Sequence, residues 1–119
     1  MRLLISIAKS LDYDREIALV AEHSLGKGRY EIMGVARMSK LHGSPTAEFA
    51  VVVTDKWQNK GLGTELTKRL IRIAKNENLT RLVAYTLLEN HEMQKMCKKL
   101  GFQVSTSTQD SECVIEMNL

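Results

Sequence analysis

The sequence predicts a layered α/β domain, and three observations carry that prediction. A continuous apolar run, Phe49-Ala50-Val51-Val52-Val53, has the length and β-branched content of a strand buried on both faces. Immediately downstream the period changes: Leu62, Leu66, Leu70, Ile73 and Ala74 fall on one helical face, with Glu65, Lys68, Arg69, Arg72 and Lys75 elsewhere. Glycine-bearing turns then separate short segments of alternating type along the rest of the chain. At 119 residues the chain is the size of one domain with a single core.

Each element has its own local signal. Leu3, Leu4, Ile7, Ala8 and Leu11 recur at helical spacing, so residues 1–11 read as a short amphipathic helix, broken by Asp12-Tyr13-Asp14. Glu16 to Glu22 is compact and apolar and reads as a buried strand. Ser24-Leu25-Gly26-Lys27-Gly28 is a turn, and Tyr30 to Met38 returns as the second strand of a hairpin. Gly43-Ser44-Pro45 turns the chain into a third strand, Ala47 to Thr54. After the central helix, stopped at Asn76-Glu77-Asn78, Arg81 to Leu87 forms another strand. Asn90 suits the N-cap of a helix whose Met93, Met96, Cys97 and Leu100 share a face. Gly101 suits the left-handed position that closes that helix. Phe102 to Ser107 and Cys113 to Leu119 make a final hairpin around Gln109-Asp110-Ser111.

Composition excludes several function classes. Apolar residues make up 44% and charged residues 26%, ordinary for a globular domain, and no apolar run could span a bilayer. The net charge of +3 lacks the dense basic stripe of a nucleic-acid binder and would suit a small polyanion. Residues 1–8 have a basic start but no small-residue cleavage site, which argues against a signal peptide. Cys97 and Cys113 form no C-x-x-C pair, and with His23, His42 and His91 they show no metal-ligand spacing. The expectation is a reduced, cytoplasmic protein without metal, membrane or nucleic-acid partners.

The chemistry-bearing stretch is the loop Gln58-Asn59-Lys60-Gly61-Leu62-Gly63-Thr64, which leaves a buried strand and opens directly into the central helix. First-turn N–H groups have no intrahelical partners, and the helix dipole adds partial positive charge there. Glycine lets backbone approach a phosphate without a Cβ in the way, and Lys60 adds a full charge. A pyrophosphate is therefore an apt guest, although two glycines could equally serve a tight strand-to-helix turn. The Walker pattern fails because Gly63 is followed by Thr64, and the dinucleotide pattern fails at Leu66.

Gln58-Asn59-Lys60-Gly61-Leu62-Gly63 resembles the Q/R-x-x-G-x-G/A pyrophosphate loop of the GNAT acetyltransferase superfamily. Glu89-Asn90 and Lys99-Leu100-Gly101-Phe102 resemble that superfamily's fifth-strand exit and the K-L-G-F end of its fourth helix. Asp12 to Glu16, Ala47 to Val51 and Met96 to Phe102 look like the GNAT domain of bacterial protein-lysine acetyltransferases. The resemblance implies a mixed, mostly antiparallel sheet flanked by helices and acetyl transfer from acetyl-CoA to a primary amine. It favours a protein lysine as acceptor, with a small-molecule amine or a non-catalytic CoA-binding module as the alternatives. It further implies that backbone groups of Val51 and Val53 pair with the pantetheine arm. Gln58, Asn59, Lys60, Gly61, Leu62, Gly63 and Thr64 would hold the pyrophosphate, and Asn90 would reach the arm from the far side. Glu48 matches the general base of related lysine acetyltransferases, although by itself it reads as a solvated charge at a strand start.

Two departures from the family pattern stand out. The position that commonly holds a general-acid tyrosine is Cys97, which reads as a core residue, and Tyr85 is a weaker substitute. The family's first strand and two helices are expected to reduce here to one helix, so that the first strand and first helix are missing. The edge of the strand near Ile17 to Ala21 would then be bare, and a second copy or another domain is expected to cover it.

Overall fold

The computed structural model describes residues 1–9, 13–107, 109 and 111–119. Leu11, Asp12 and Asp110, which belong to the expected N-terminal helix, its break and the last turn, lie outside the described residues. The elements are β1 (Arg2–Ala8), β2 (Tyr13–Gly26), β3 (Arg29–Leu41), β4 (Thr46–Val53), α1 (Leu62–Asn76), β5 (Arg81–Leu87), α2 (His91–Lys99), β6 (Gln103–Ser107) and β7 (Glu112–Asn118). The strands form one mixed sheet in the order β1-β2-β3-β4-β5-β7-β6. Among the described residues only the β4–β5 pairing is parallel.

The N-terminus corrects the sequence expectation. Residues 2–8 are a strand, not a helix, and β1 pairs antiparallel with β2 from Arg2 opposite Glu22 to Ala8 opposite Glu16. Leu3, Leu4 and Ile7 fit a helical stripe, but Leu3, Ile5 and Ile7 fit a strand period equally well. An isolated helix of about eleven residues is marginal in water, whereas pairing with β2 satisfies the backbone groups of alternate residues along the whole strand. A strand is therefore present before β2. Only residues 9–12 separate it from β2, too few for either of the two helices that the resemblance implies there. It follows that the edge of β2 is not bare: β1 covers it, and no second copy is needed at Ile17 to Ala21.

The β2–β3 hairpin is longer than its apolar run. It turns at Lys27 and Gly28, with φ of 54° and 73°, and both values are the left-handed pair that a tight hairpin turn requires. The register between β2 and β3 shifts where Ala21 opposes Gly34 and Glu22 opposes Ile32. A missing side chain at Gly34 matters here. A Cβ would lie 3.0 Å from the Val52 carbonyl oxygen and 3.3 Å from the methyls of Leu62 and Leu66, so glycine lets α1 settle onto β3.

Both helices pack on one face of the sheet. Ile17, Leu19, Ala36, Met38, Phe49, Leu82 and Ile115 supply the sheet side of that core, and Leu62, Leu66, Leu70 and Ala74 of α1 supply its cover. Leu66 and Leu70 are fully buried, each contributing about 1.5–3 kcal/mol by removal from water. The one buried polar side chain among the described residues, Thr67, donates from Oγ1 to the Gly63 carbonyl at 2.7 Å. The C-terminal closure of α2 follows the sequence expectation: Gly101 has φ 99°, and Phe102 N–H donates to the Cys97 carbonyl at 2.9 Å.

The other face carries no helix among the described residues. Register places Leu4, Val20, Val35 and Val52 in one apolar row across β1 to β4 on that face. Glu16, Ser39, Glu48, Val83 and Glu116 form a second row across β2, β3, β4, β5 and β7. Surface ion pairs such as Arg81–Glu116 (2.6 Å) and Arg2–Glu22 (2.6 Å) border these rows and add little stability.

Candidate functional site

The site begins where two parallel strands stop pairing. β4 and β5 are joined only from Thr46 opposite Arg81 to Glu48 opposite Val83. Beyond that point β4 keeps β3 on one side and β5 keeps β7 on the other. Their facing edges, Phe49 to Val53 and Ala84 to Leu87, are left without a strand between them. Unpaired backbone groups along such an edge seek a partner.

A cleft of about 600 Å³ opens at this gap. One wall is β4, with Val51, Val52 and Val53; the opposite wall is the start of α2, with Asn90, Met93 and Met96. Trp57, Gln58 and Asn59 enter from the loop, and Gly61, Leu62, Gly63 and Thr64 from the first turn of α1. Glu92, Lys95 and Lys99 of α2 also line the cleft.

The loop is held in place from both ends. Thr54 N–H donates to the Met33 carbonyl at 3.0 Å, and its hydroxyl donates to the same oxygen at 3.1 Å. Residues Asp55–Trp57 make a single 3₁₀ turn. Trp57 packs against the His23 ring at 4.9 Å between centroids, and Lys56 pairs with Glu31 at 3.0 Å. Gln58 Nε2 donates to the Val53 carbonyl at 3.1 Å, which ties the loop to the strand it leaves. That bond also occupies the carbonyl of Val53.

The N-terminus of α1 is open for a physical reason. Its N-cap is Gly61, with φ 82°, and no side chain caps the helix. A Cβ on Gly61 would meet no protein atom within 4 Å, so the left-handed backbone, not packing, demands glycine there. A Cβ on Gly63 would instead point at Met96 and Val53, at ordinary contact distances of 3.6 and 3.7 Å. First-turn N–H groups with no side-chain cap, at the positive end of a 15-residue helix, face a cleft with apolar walls. The arrangement is chemically suited to an anionic group joined to an extended, weakly polar arm.

The expected site residues distribute unevenly. Val51, Val53, Gln58, Asn59, Gly61, Leu62, Gly63, Thr64 and Asn90 line the cleft. Lys60 is exposed and lies outside the lining. Asn90 caps α2: its Oδ1 accepts from Met93 N–H at 3.2 Å, and its Nδ2 donates to the Thr86 hydroxyl at 3.1 Å. Glu48 is half-buried and also outside the lining. It alternates with buried Ala47 and Phe49, so it points to the helix-free face, at the last paired position before the gap opens.

Tyr85, 52% exposed, also points to that face and does not reach the cleft. Cys97 is fully buried, and burial pushes its thiol up to about 12. A neutral, inaccessible thiol is a core group and not a nucleophile. Sequence reasoning did not assign Trp57, Met93 and Met96 to the site. Met93 and Met96 carried a signal only as apolar positions at the start of α2, which core packing explains equally well.

Comparison with known proteins places this geometry in a family. The model of the acetyltransferase (GNAT) family matches residues 2–102. An acetyltransferase of Pseudomonas aeruginosa is 29% identical over 106 residues, covering 88% of this chain and 56% of that protein. The chain thus spans little more than half of that curated relative. Among solved structures, the yncA protein of Salmonella typhimurium, determined with its cofactor acetyl-CoA, is 25% identical, with a TM-score of 0.74 over 87% of this chain and 65% of that one. The GNAT domain of PAT from S. lividans is 23% identical, with a TM-score of 0.73 over 87% of this chain and 61% of that one. PaiA N-acetyltransferase from Thermoplasma acidophilum, solved with coenzyme A, is 19% identical, with a TM-score of 0.71 over 92% and 62%. With a family match that runs from β1 to the end of α2 and a cleft built from a splayed strand pair and an uncapped helix, this chain belongs to the GNAT acetyltransferase family.

Proposed function

We propose that the chain binds acetyl-CoA in the β4–β5 cleft and transfers its acetyl group to a primary amine, with a protein lysine as the acceptor that the sequence resemblance favours. The observation that carries this reading is the join between the open edge of β4 and the uncapped first turn of α1. The residues fit the co-substrate: backbone N–H groups of the first turn and the Gly61 loop suit a pyrophosphate, and Val51, Val53, Met93 and Met96 suit the pantetheine arm. An extended arm laid along the free edge of β4 would be held as an added strand. Lys95 and Lys99 in the cleft lining suit the 3′-phosphate.

When bound, acetyl-CoA supplies the thioester carbonyl that the amine attacks. The chain's own task is then proton management. A lysine ammonium has no lone pair at neutral pH and must lose a proton before it can attack. Glu48 stands beside the vertex of the gap, on the helix-free face, and its carboxylate is suited to take that proton directly or through water. The acceptor would approach from that face, where the row Glu16, Ser39 and Glu48 offers negative charge to a cationic amine. A thiolate leaving group needs little acid help, which accords with a buried Cys97 and a remote Tyr85.

One observation favours a second reading, a CoA-binding module without catalysis: Glu48 is outside the cleft lining. The two readings separate in one experiment. Acetyl-CoA is titrated calorimetrically into wild type and Glu48→Gln, and acetyl transfer to a lysine peptide and to small amines is measured for both. The enzyme reading expects equal affinity and a rate roughly 10²- to 10⁴-fold lower in the variant. Transfer that is unchanged in Glu48→Gln would remove the base. Tight binding with no transfer to any amine would favour the module.

A further inference from the structure

The sheet ends in two very different edges. On one side, β6 is a five-residue strand of sequence Gln-Val-Ser-Thr-Ser, short and mostly polar. On the other side, β1 offers the seven residues Arg-Leu-Leu-Ile-Ser-Ile-Ala. Its register with β2 runs without a shift, so no bulge twists the edge away. Between Leu3 and Ala8 there is no proline, glycine or charge, the usual guards of a free edge. Ile5 is 62% exposed and Ile7 56%, both on the face of the sheet that holds the core.

The pattern of β1 is also self-complementary. Leu3, Ile5 and Ile7 alternate on one face and are symmetric about Ile5. An antiparallel pairing with a two-fold axis at Ile5 sets Ile5 opposite its own copy and Leu3 opposite Ile7. On the other face it sets Leu4 opposite Ser6 and Arg2 opposite Ala8. No like charges meet in this register. Arg2 is already engaged, bonded to Glu22 at 2.6 Å and stacked 3.6 Å above the Tyr30 ring. Cross-strand apolar pairs of this kind stabilise sheets, and an isologous pairing closes after two copies without propagating.

We infer that β1 pairs antiparallel with β1 of a second copy of this chain, about a two-fold axis through Ile5, joining the two sheets into one. This surface is independent of the acetyl-CoA cleft, which lies beyond β3. A single strand pair is smaller than the roughly 800 Å² per partner of a standard interface, so the dimer should depend on concentration.

The test has two arms. Sedimentation of the whole chain over about 1–100 µM should show a monomer–dimer equilibrium, lost in Ile5→Lys and kept in Ile32→Lys, whose side chain is exposed on the helix-free face. The second arm fixes the register by oxidation of Ile5→Cys and, separately, Ile7→Cys. Cys97 and Cys113 are fully buried and do not compete. In the inferred pairing the two Ile5→Cys positions sit directly opposite and form a disulfide. The two Ile7→Cys positions lie about 13 Å apart along the strands and do not.

A monomer at every concentration would overturn the inference. So would a dimer that survives Ile5→Lys, one lost only in Ile32→Lys, or equal cross-linking at both cysteine positions. If Ile5→Lys does not fold, the cysteine pair decides the matter alone, since both substitutions replace exposed side chains.

Discussion

Gly61 caps α1 and Gly63 lies in its first turn, and replacing each by alanine should change stability in opposite directions. At Gly61 the backbone φ is 82°, and a Cβ would touch nothing. The cost is therefore the left-handed conformation alone, about 1–2 kcal/mol for an L-residue. Gly63 lies inside α1, where a Cβ would make ordinary contacts at 3.6 and 3.7 Å with Met96 and Val53. There alanine gains helix propensity and loses unfolded-state freedom, about 0.5–1 kcal/mol of stabilisation. The two variants should thus differ by roughly 1.5–3 kcal/mol. In urea, with a slope of about 1–3 kcal/mol per M for a small domain, that separates the midpoints by about 0.5–3 M.

Acetyl-CoA titration of the same variants should follow a matching split. The Gly61→Ala methyl projects into open space beside the cleft and should weaken binding. The Gly63→Ala methyl points at Met96 and Val53, which also line the cleft, and should weaken binding less than Gly61→Ala does. Midpoints that shift in the same direction would refute the assignment of Gly61 to backbone conformation and Gly63 to helix interior. Stronger loss of binding in Gly63→Ala than in Gly61→Ala would refute the account of the cleft.

Three further expectations follow from single contacts. Asn90→Ala removes the cap on Met93 N–H and should cost about 0.5–2 kcal/mol in urea unfolding, with weaker acetyl-CoA binding because Asn90 also lines the cleft. The Asp14 carboxyl, held by hydrogen bonds from Lys40 and then His42, is lowered from 3.8 to about 2. A lowered folded value means that its stabilisation is present above 3.8 and lost as pH falls through about 2. The stability gap between wild type and Asp14→Asn should therefore narrow over that window, as followed by circular dichroism during acid titration. A gap constant with pH would remove the ionic role. Cys97, pushed up to about 12 by burial, and Cys113, equally buried, should resist a thiol reagent in the native protein and react on unfolding. Rapid native labelling of either would contradict the packing of the helix-side core.

Much of the fold was legible because local signals agreed with tertiary demands. Arg81 to Leu87 is a strand with the expected bounds, since an apolar run between turn residues has no competing period there. Asn90 and Gly101 mark the ends of α2 because capping and left-handed closure are chemistry of one or two residues. The loop from Gln58 to Thr64 was legible for the same reason: an uncapped helix start with glycines is a local arrangement. Residues 2–8 were not. Their apolar positions satisfy both helical and strand spacing, and only the backbone partners offered by β2 choose between them.

The sequence by itself determined where the chain turns, where α1 and α2 stop, and that a glycine-bearing loop opens into α1, because those depend on neighbours a few residues away. Tertiary structure alone decided that β4 and β5 part after Glu48, that Met93 and Met96 complete the cleft, and that Glu48 faces the side without helices. It also moved the free edge of the sheet from β2 to β1. Those facts depend on pairing between segments tens of residues apart, where the partner's position, and not the local pattern, sets the outcome.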